Sequence, residues 1–467
     1  MFMFKVVTVV IVTLTMATNF GLLWMTSLVV PKSLGKSSII CDSDLTETSI
    51  NGTRSTNATL GLETVNVTSA QQVVTPPSLK EDEKEFTFFE NLNKTAIYSA
   101  KSIFQAYSSV AIGPIIDRFG HKVAMYAGTG FLFVTAIGFD LGQSYPVLIL
   151  SATIHGIGSS CVTVGGMTML AKTFNNKKER GKIFGLTLAS IAASISGGLV
   201  VWSLLDPVDS TTIEATFFVI AATLGHLQLY HSSLDTKKVE KHKKPIGVRK
   251  FPKLFYVLVL EALLILGLVV GVLFGGFSSW LTCRSFPELI SGTGKVLVFL
   301  SAFFGFQLTA SLVHYSPLSS RYLYPLTIVA LGMAITCLGL LAITLSSSLF
   351  HILICLLVVG CGCGLVASSI YPRLARLVKS SGMSIYGTVY GLADAIICVG
   401  FTAGIYAAGA VVQASTYVIL MLLSACVCLW YATFIVVMIL MMKRNEYRQL
   451  IKKKVNSKAA ERSVNNV

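Results

Sequence analysis

Apolar residues along this chain fall into long blocks, and polar and charged residues are confined to the gaps between them. Twelve blocks reach the length of about 20 residues that crosses a bilayer as a helix. They are Val6–Val30, Thr95–Ile116, Val123–Leu141, Tyr145–Thr173, Ile183–Leu204, Thr212–Tyr230, Phe255–Phe277, Gly294–His314, Tyr322–Thr344, Phe350–Tyr371, Tyr386–Ala408 and Thr416–Met442. The first is longer than the roughly 7–15-residue apolar core of a signal peptide and lacks a convincing small-residue cleavage site, so it reads as a retained helix. The blocks divide six and six around a basic stretch, Asp235 to Lys253. The pattern therefore predicts an all-α membrane protein. Its N-terminal six-helix half covers 1–234 with a long loop at 31–94, a linker follows at 235–253, the C-terminal half covers 254–442, and a tail covers 443–467.

Composition agrees. Charged residues make up 13% against 53% hydrophobic, where soluble domains carry about 25% charged residues. The net charge of +15 is a matter of placement. Arg118 and Lys122, the Lys177–Lys182 group, Lys237 to Lys253, Arg373, Arg376 and Lys379, and Lys443 to Lys454 follow the even-numbered segments. Basic residues mark the cytosolic side, which places both termini in the cytosol and leaves nucleic acid out of consideration. The loop at 31–94 is the opposite: Ser/Thr-rich, acidic at Glu81-Asp82-Glu83, and disordered by composition. It carries four N-x-S/T acceptors, at Asn51, Asn57, Asn66 and Asn93, and glycosylation is expected on that side. Of ten cysteines, eight fall inside apolar segments. Cys41 and Cys283 fall in loops on the non-cytosolic side, where they either pair as a disulfide or remain two separate thiols.

Charge at membrane depth is rare and expensive, about 2.5–3.5 kcal/mol for an ionised group at a helix centre, so it persists where it is paired or used. Lys101 in the second segment and Asp394 in the eleventh are the clearest cases. Glu261 sits in the cytosolic half of the seventh segment and reads as a gate or interfacial residue. His155 and His226 titrate in the range useful for proton transfer, or are simply packed polar residues. Tyr386 and Tyr390 offer aromatic faces to a cation, or pack between helices.

Two six-helix halves are the architecture of major facilitator transporters. The loop between segments 2 and 3 reads Gly113-Pro-Ile-Ile-Asp117-Arg118-Phe-Gly120-His-Lys122 and resembles that superfamily's G-x-x-x-D-R-x-G-x-K signature, which braces one of the alternating states. The corresponding loop after segment 8 has lost the pattern. Segments 4 and 5 are rich in small residues, which suit close helix contact. Gly360-Cys-Gly-Cys-Gly364 is a packing or hinge element; no second cysteine pair supports a metal there.

More specific strings are Ser99-Ala-Lys101, Gly156-Ile-Gly-Ser-Ser-Cys161, Glu179-Arg-Gly181 and Ser384-Ile-Tyr386-Gly-Thr-Val-Tyr390-Gly-Leu-Ala-Asp394. With the topology and the long first loop, they resemble the vesicular amine transporters, which load monoamines or acetylcholine into secretory vesicles by proton antiport. The resemblance implies that Lys101 and Asp394 form an ion pair linked to proton coupling. It also implies departures: the family's amine-binding Asp falls on Asn19, a further membrane Asp on Ala367, an Arg on Ala152 and a Glu on Gly271. Segment 5 lacks the antiporter proline after Gly198. In the tail, Glu446, Leu450 and Ile451 resemble the family's acidic dileucine sorting signal.

The expectation is a secondary transporter, nominally a proton-coupled antiporter of a cationic amine. The alternatives are a carrier for a less basic solute without coupling, and a non-transporting regulatory or scaffold relative. The partners implied are a small-molecule substrate, protons, the lipid bilayer and sorting adaptors at the tail. Cofactors, metals and enzymatic chemistry are not expected, and a monomer is the family form. The membrane implied is vesicular or endosomal, with the plasma membrane as the alternative.

Overall fold

The computed structural model describes residues 5–16, 18–19, 77–140, 144–174, 176, 179–189, 253–283, 306, 324–346, 348–382, 384–410 and 414–464. Every regular element among them is helical: α1 (Lys5–Met16), α2 (Pro77–Phe119), α3 (His121–Asp140), α4 (Tyr145–Thr173), α5 (179–189), α6 (Lys253–Cys283), α7 (Tyr324–Thr344), α8 (Leu349–Ser381), α9 (Tyr386–Gly409) and α10 (Ala414–Val464). Among the described residues, seven helical stretches are long and apolar enough to cross a membrane. They coincide with the third, fourth, seventh and ninth to twelfth predicted segments. The sixth segment, nearly all of the eighth, the linker before Lys253 and loop residues 31–76 lie outside the described residues.

Three helices overrun their predicted ends. α2 starts at Pro77, well before Thr95, so the last part of the loop expected to be disordered is helical. Proline suits the first helical position, and the Lys/Glu-rich run that follows favours helix. α8 continues through Pro372 to Ser381, which puts Arg373, Arg376 and Lys379 on its final turns and not in a loop. It ends at Gly382 in the left-handed region, φ 69°, a conformation that glycine adopts without strain. α10 runs on to Val464, so Glu446, Leu450 and Ile451 lie on a continuous helix. Cys283 is the last residue of α6, not part of a loop.

The helices pack as α2, α3 and α4 in the first half, and as α6 with α9 and α7 with α8 and α10 in the second. Tyr417 of α10 donates a hydrogen bond to the Val272 carbonyl at 2.8 Å, and Tyr431 donates to Leu258, tying α10 to α6. The halves meet where α2 packs antiparallel on α9. Contacts run from Gly113 against Gly387, through Ser109 against Gly391, to Thr95 against Gly409. From Thr95 to Gly113 is about 27 Å at 1.5 Å per residue, nearly the full hydrocarbon thickness.

Glycine makes the motif end of this seam possible. A Cβ at Gly113 would lie 2.8 Å from the Gly387 carbonyl oxygen and 3.0 Å from the Thr388 Cα. Both are backbone atoms of α9 and cannot swing aside. Replacing Gly113 with Leu therefore forces α2 and α9 apart. The expected result is a loss of transport of at least about tenfold with near-normal expression, since about 1.4 kcal/mol of lost seam energy is a factor of ten in the closed-state population. Labelling of single cysteines placed along α9 near Gly387 reads that population; unchanged labelling would refute the steric argument.

Candidate functional site: the polar seam between the halves

α2 carries Lys101, Gln105 and Ser109 at four-residue spacing, and α9 carries Asp394, Cys398 and Thr402 at the same spacing. Four-residue spacing aligns side chains on one helix face, so each helix bears a polar stripe in an apolar segment. The fold sets the stripes against one another. Gln105 donates through Nε2 to both Asp394 oxygens, at 3.2 and 3.0 Å. Ser109 donates to Asp394 Oδ2 at 2.6 Å. Ser102 and Thr402 share a 2.8 Å hydrogen bond further along. Asp394 is 5% exposed and Lys101 6%.

The sequence-expected contact between Lys101 and Asp394 is not made directly. Lys5 and Glu179, by contrast, do form an ion pair, at 2.9 Å. Lys101 lies one helical turn from Gln105 and within electrostatic range of Asp394, Cys398 and His155. Asp394 is instead satisfied by neutral donors from the opposite half. A neutral hydrogen-bond cradle holds a buried carboxylate while leaving a nearby cation exchangeable.

A second polar group lies on α4. His155 is fully buried, and its Nε2 is 3.2 Å from both the backbone oxygen and Oδ1 of Asn19. Both are acceptors, so Nε2 carries the hydrogen. Ser159 also donates to Asn19 Oδ1. Among the described residues, that leaves the Asn19 Nδ2 donor and the bare His155 Nδ1 acceptor buried and without partners, and Gln105 Oε1 likewise. Unfilled buried donors and acceptors are the points at which a polar guest can bond. His155 had been a candidate at sequence level. Its pairing with Asn19 needed the α4 register, and Gln105 and Ser109 went unnoticed although their spacing from Lys101 was visible.

Gly271, Ala367 and Ala152 are the positions where the resemblance implied membrane charges in the family. A Cβ at Gly271 would run into the Phe401 carbonyl oxygen, with the Phe401 C and Cα at 3.0 Å. Ala367 sits in the main apolar core, and Ala152 in a small cluster with Ile97, Phe139 and Leu148. None of the three leaves a polar gap. Tyr390 is 1% exposed, packs parallel to Phe184 and Tyr371, and donates to the Tyr371 carbonyl at 3.0 Å. Its ring is thus packed between helices and not open to a cation. Tyr386 is half-buried nearby. Glu261 on α6 lies within electrostatic range of Tyr431.

The loop motif closes one end of the seam. Asp117 accepts the backbone N–H of Gly387 at 2.7 Å, that of Thr388 at 2.8 Å and the Thr388 hydroxyl at 2.7 Å. It caps the α9 N-terminus from the other half. Gly120 has φ 96° and donates its N–H to the Ile116 carbonyl at 2.9 Å, ending α2 in a left-handed turn. Arg118 lies 5.4 Å from the centre of the Phe119 ring, and Lys122 is the second residue of α3. Cys41, Asn51, Asn57, Asn66 and His226 lie outside the described residues, as do the side chains of Cys283, Asn93, Glu446, Leu450 and Ile451. The eight cysteines whose side chains are described are all free thiols.

An all-helical bundle, two polar helix faces meeting at its midline and a signature loop capping a helix of the other half define a carrier. The chain belongs to the Major Facilitator Superfamily, whose profile matches residues 2–397. Within it, the chain is a divergent relative of the vesicular amine transporters. It is 27% identical to the synaptic vesicular amine transporter of Mus musculus, over 77% of this chain and 69% of that protein. It is 25% identical to a vesicular acetylcholine transporter of Caenorhabditis elegans, over 69% of this chain and 61% of that one. The crystal structure of the human organic anion transporter TETRAN shares the fold, with a TM-score of 0.60, 15% identity, and coverage of 93% of this chain and 99% of that one. The chain is thus a multi-pass membrane transporter and not an enzyme.

Restoring an acid where α6 meets α9 should harm the protein. Gly271→Glu is expected to lower the melting temperature and to give no gain in amine transport, because overpacking alone costs about 1–3 kcal/mol. A Gly271→Glu protein that melts like the parent would show that α6 and α9 have room to separate there.

Proposed function

We propose that this transporter is proton-coupled and moves a small organic solute by alternating access, with Asp394 as the proton-carrying group and Lys101 as its charge partner. One observation carries the reading: among the described residues, the buried carboxylate of the second half is held by Gln105 and Ser109 of the first. A proton on Asp394 turns one oxygen from acceptor to donor and removes the charge that draws those donors in. The same proton therefore loosens the contact between the halves. Kinship with the vesicular amine transporters supports a cationic amine as the nominal cargo.

The Asn19–His155–Ser159 group favours a second reading, in which the solute is less basic and coupling is absent. Asn19 can bond a guest but cannot neutralise an ammonium, and desolvating an amine without a carboxylate is costly. Asp394 is the acid left for that task along this seam.

The proposal places a monomeric carrier, both termini cytosolic, in a vesicular or endosomal membrane, with halves at 1–234 and 254–442 joined by 235–253. The lumenal loop would carry glycans at Asn51, Asn57 and Asn66, while Asn93 lies in helix α2 close to the membrane. Cys41 and Cys283 would pair across the halves. Glu446, Leu450 and Ile451 would address the tail to sorting adaptors.

The test is uptake by acid-loaded proteoliposomes of a panel of amines and their uncharged analogues. Uphill accumulation of an amine should collapse at least about tenfold when the gradient is dissipated, and by a similar factor in Asp394→Asn, which retains shape but carries no exchangeable acid proton. Accumulation of an uncharged analogue that is indifferent to the gradient would replace the coupled reading with the second.

A further inference from the structure

Arg180, the second residue of α5, is 1% exposed, the largest side chain buried so completely among the described residues. Its Nε donates to the Phe174 carbonyl at 2.8 Å, and its buried Nη2 has no partner. Arg376, on the last turns of α8, also has a buried Nε without a partner. The two guanidiniums belong to different halves: Arg180 lies one turn before Phe184 on α5 and Arg376 about a turn and a half beyond Tyr371 on α8, and both of those rings stack on Tyr390 of α9. Tyr386, at the start of α9 and one turn before Tyr390, is half-buried, and its hydroxyl has no hydrogen-bond partner among the described residues.

Neighbouring carboxylates are committed elsewhere. Glu179, adjacent in sequence to Arg180, pairs with Lys5 at 2.9 Å. Asp117 uses both oxygens on Gly387 and Thr388. Asp394 is held further along α9 by Gln105 and Ser109. Two like charges with unfilled donors in a low-dielectric setting repel and remain under-bonded. An anion between them reverses both terms. Guanidinium forks match the oxygen geometry of a phosphate, and two positive charges match its near-dianionic charge.

We propose that Arg180, Arg376 and the Tyr386 hydroxyl form a binding site for a phosphate-type oxyanion, free in solution or carried by a lipid headgroup, which bridges the two halves at the Asp117 end. It sits apart from the Asp394 seam and does not depend on what that seam transports. An occupant would favour the state in which this end is closed.

Thermal unfolding of the full-length protein tests the site, using inorganic phosphate against chloride at constant ionic strength in detergent. A second arm uses nanodiscs of phosphatidylcholine alone or with a phosphoinositide. Phosphate at saturation should raise the melting temperature by about 2 °C or more, as expected for a ligand that binds only the folded state. Arg376→Gln, at a partly buried position, should abolish the shift. Lys443→Gln, an exposed change on α10, should keep it. Arg180→Gln should also abolish it, but this change alone risks misfolding, so Arg376→Gln decides. A shift with the phosphoinositide but not with inorganic phosphate, lost in Arg376→Gln, supports the site with the lipid as source. No shift with either probe, or one that survives Arg376→Gln, overturns the proposal.

Discussion

Helix α9 begins without a cap of its own: Ile385 precedes it and offers no side-chain acceptor. The first N–H groups of a helix need partners, and their aligned dipoles favour negative charge. Asp117 of the other half supplies both. Its carboxylate reaches α9 because Gly113, one turn earlier on the same face, lets the backbones touch, and because Gly120 ends α2 directly afterwards. The spacing of the loop motif is thus the geometry of one contact. Bonds to a charged group contribute about 1.5–3 kcal/mol each, so this cap dominates the closure of its end and fixes the register with which α2 lies on α9. From that register follow the positions of Ser109, Gln105 and Ser102 against Asp394 and Thr402.

A second helix pair approaches just as closely. α6 and α9 touch backbone to backbone at Gly267, Gly271, Gly400 and Gly404. A carboxylate at Gly271 would have to separate them. Glycine there and an intact acidic site are mutually exclusive packings of one helix pair. With Ala367 inside the apolar core, the second half offers a rigid wall, and polar chemistry withdraws to the α2–α9 seam and the Asn19–His155–Ser159 group.

What the sequence conveyed follows from the same physics. Apolar blocks report where hydrocarbon touches the chain, so the spans of α3, α4, α7 and α9 were legible to within a few residues. They do not report where a helix ends. Beyond the membrane, polar residues continue the hydrogen-bond ladder unseen by hydropathy, as in α2 back to Pro77, α8 on to Ser381 and α10 on to Val464. Lys101 and Asp394 were visible because charge at that depth is exceptional. Gln105 and Ser109 are unremarkable residue types, and only the α2–α9 crossing turns them into the cradle of Asp394. Tyr390 shows the reverse. The sequence left it either a cation-facing ring or interhelical packing, and its neighbours Phe184 and Tyr371 make it part of the packing.

The seam is unequal at its two ends, and the inequality gives it a direction. At the Asp117 end, a carboxylate holds two backbone N–H groups and a hydroxyl. At the other end, the Ser102–Thr402 hydrogen bond is neutral, and Gly409 rests against Thr95 by packing alone. A neutral hydrogen bond contributes about 0.5–1.5 kcal/mol, well below the charged set. Asp394 lies between them, held by bonds that depend on its charge. In the proposed cycle, neutralising it removes the central support, and the end with the weaker remaining contacts parts first. That is the end remote from the signature loop. Re-ionisation draws Gln105 and Ser109 back and resets the seam. For the Asp117 end to open, its cap must be broken by something of comparable strength, and the transported solute is the one species whose arrival is timed to that step.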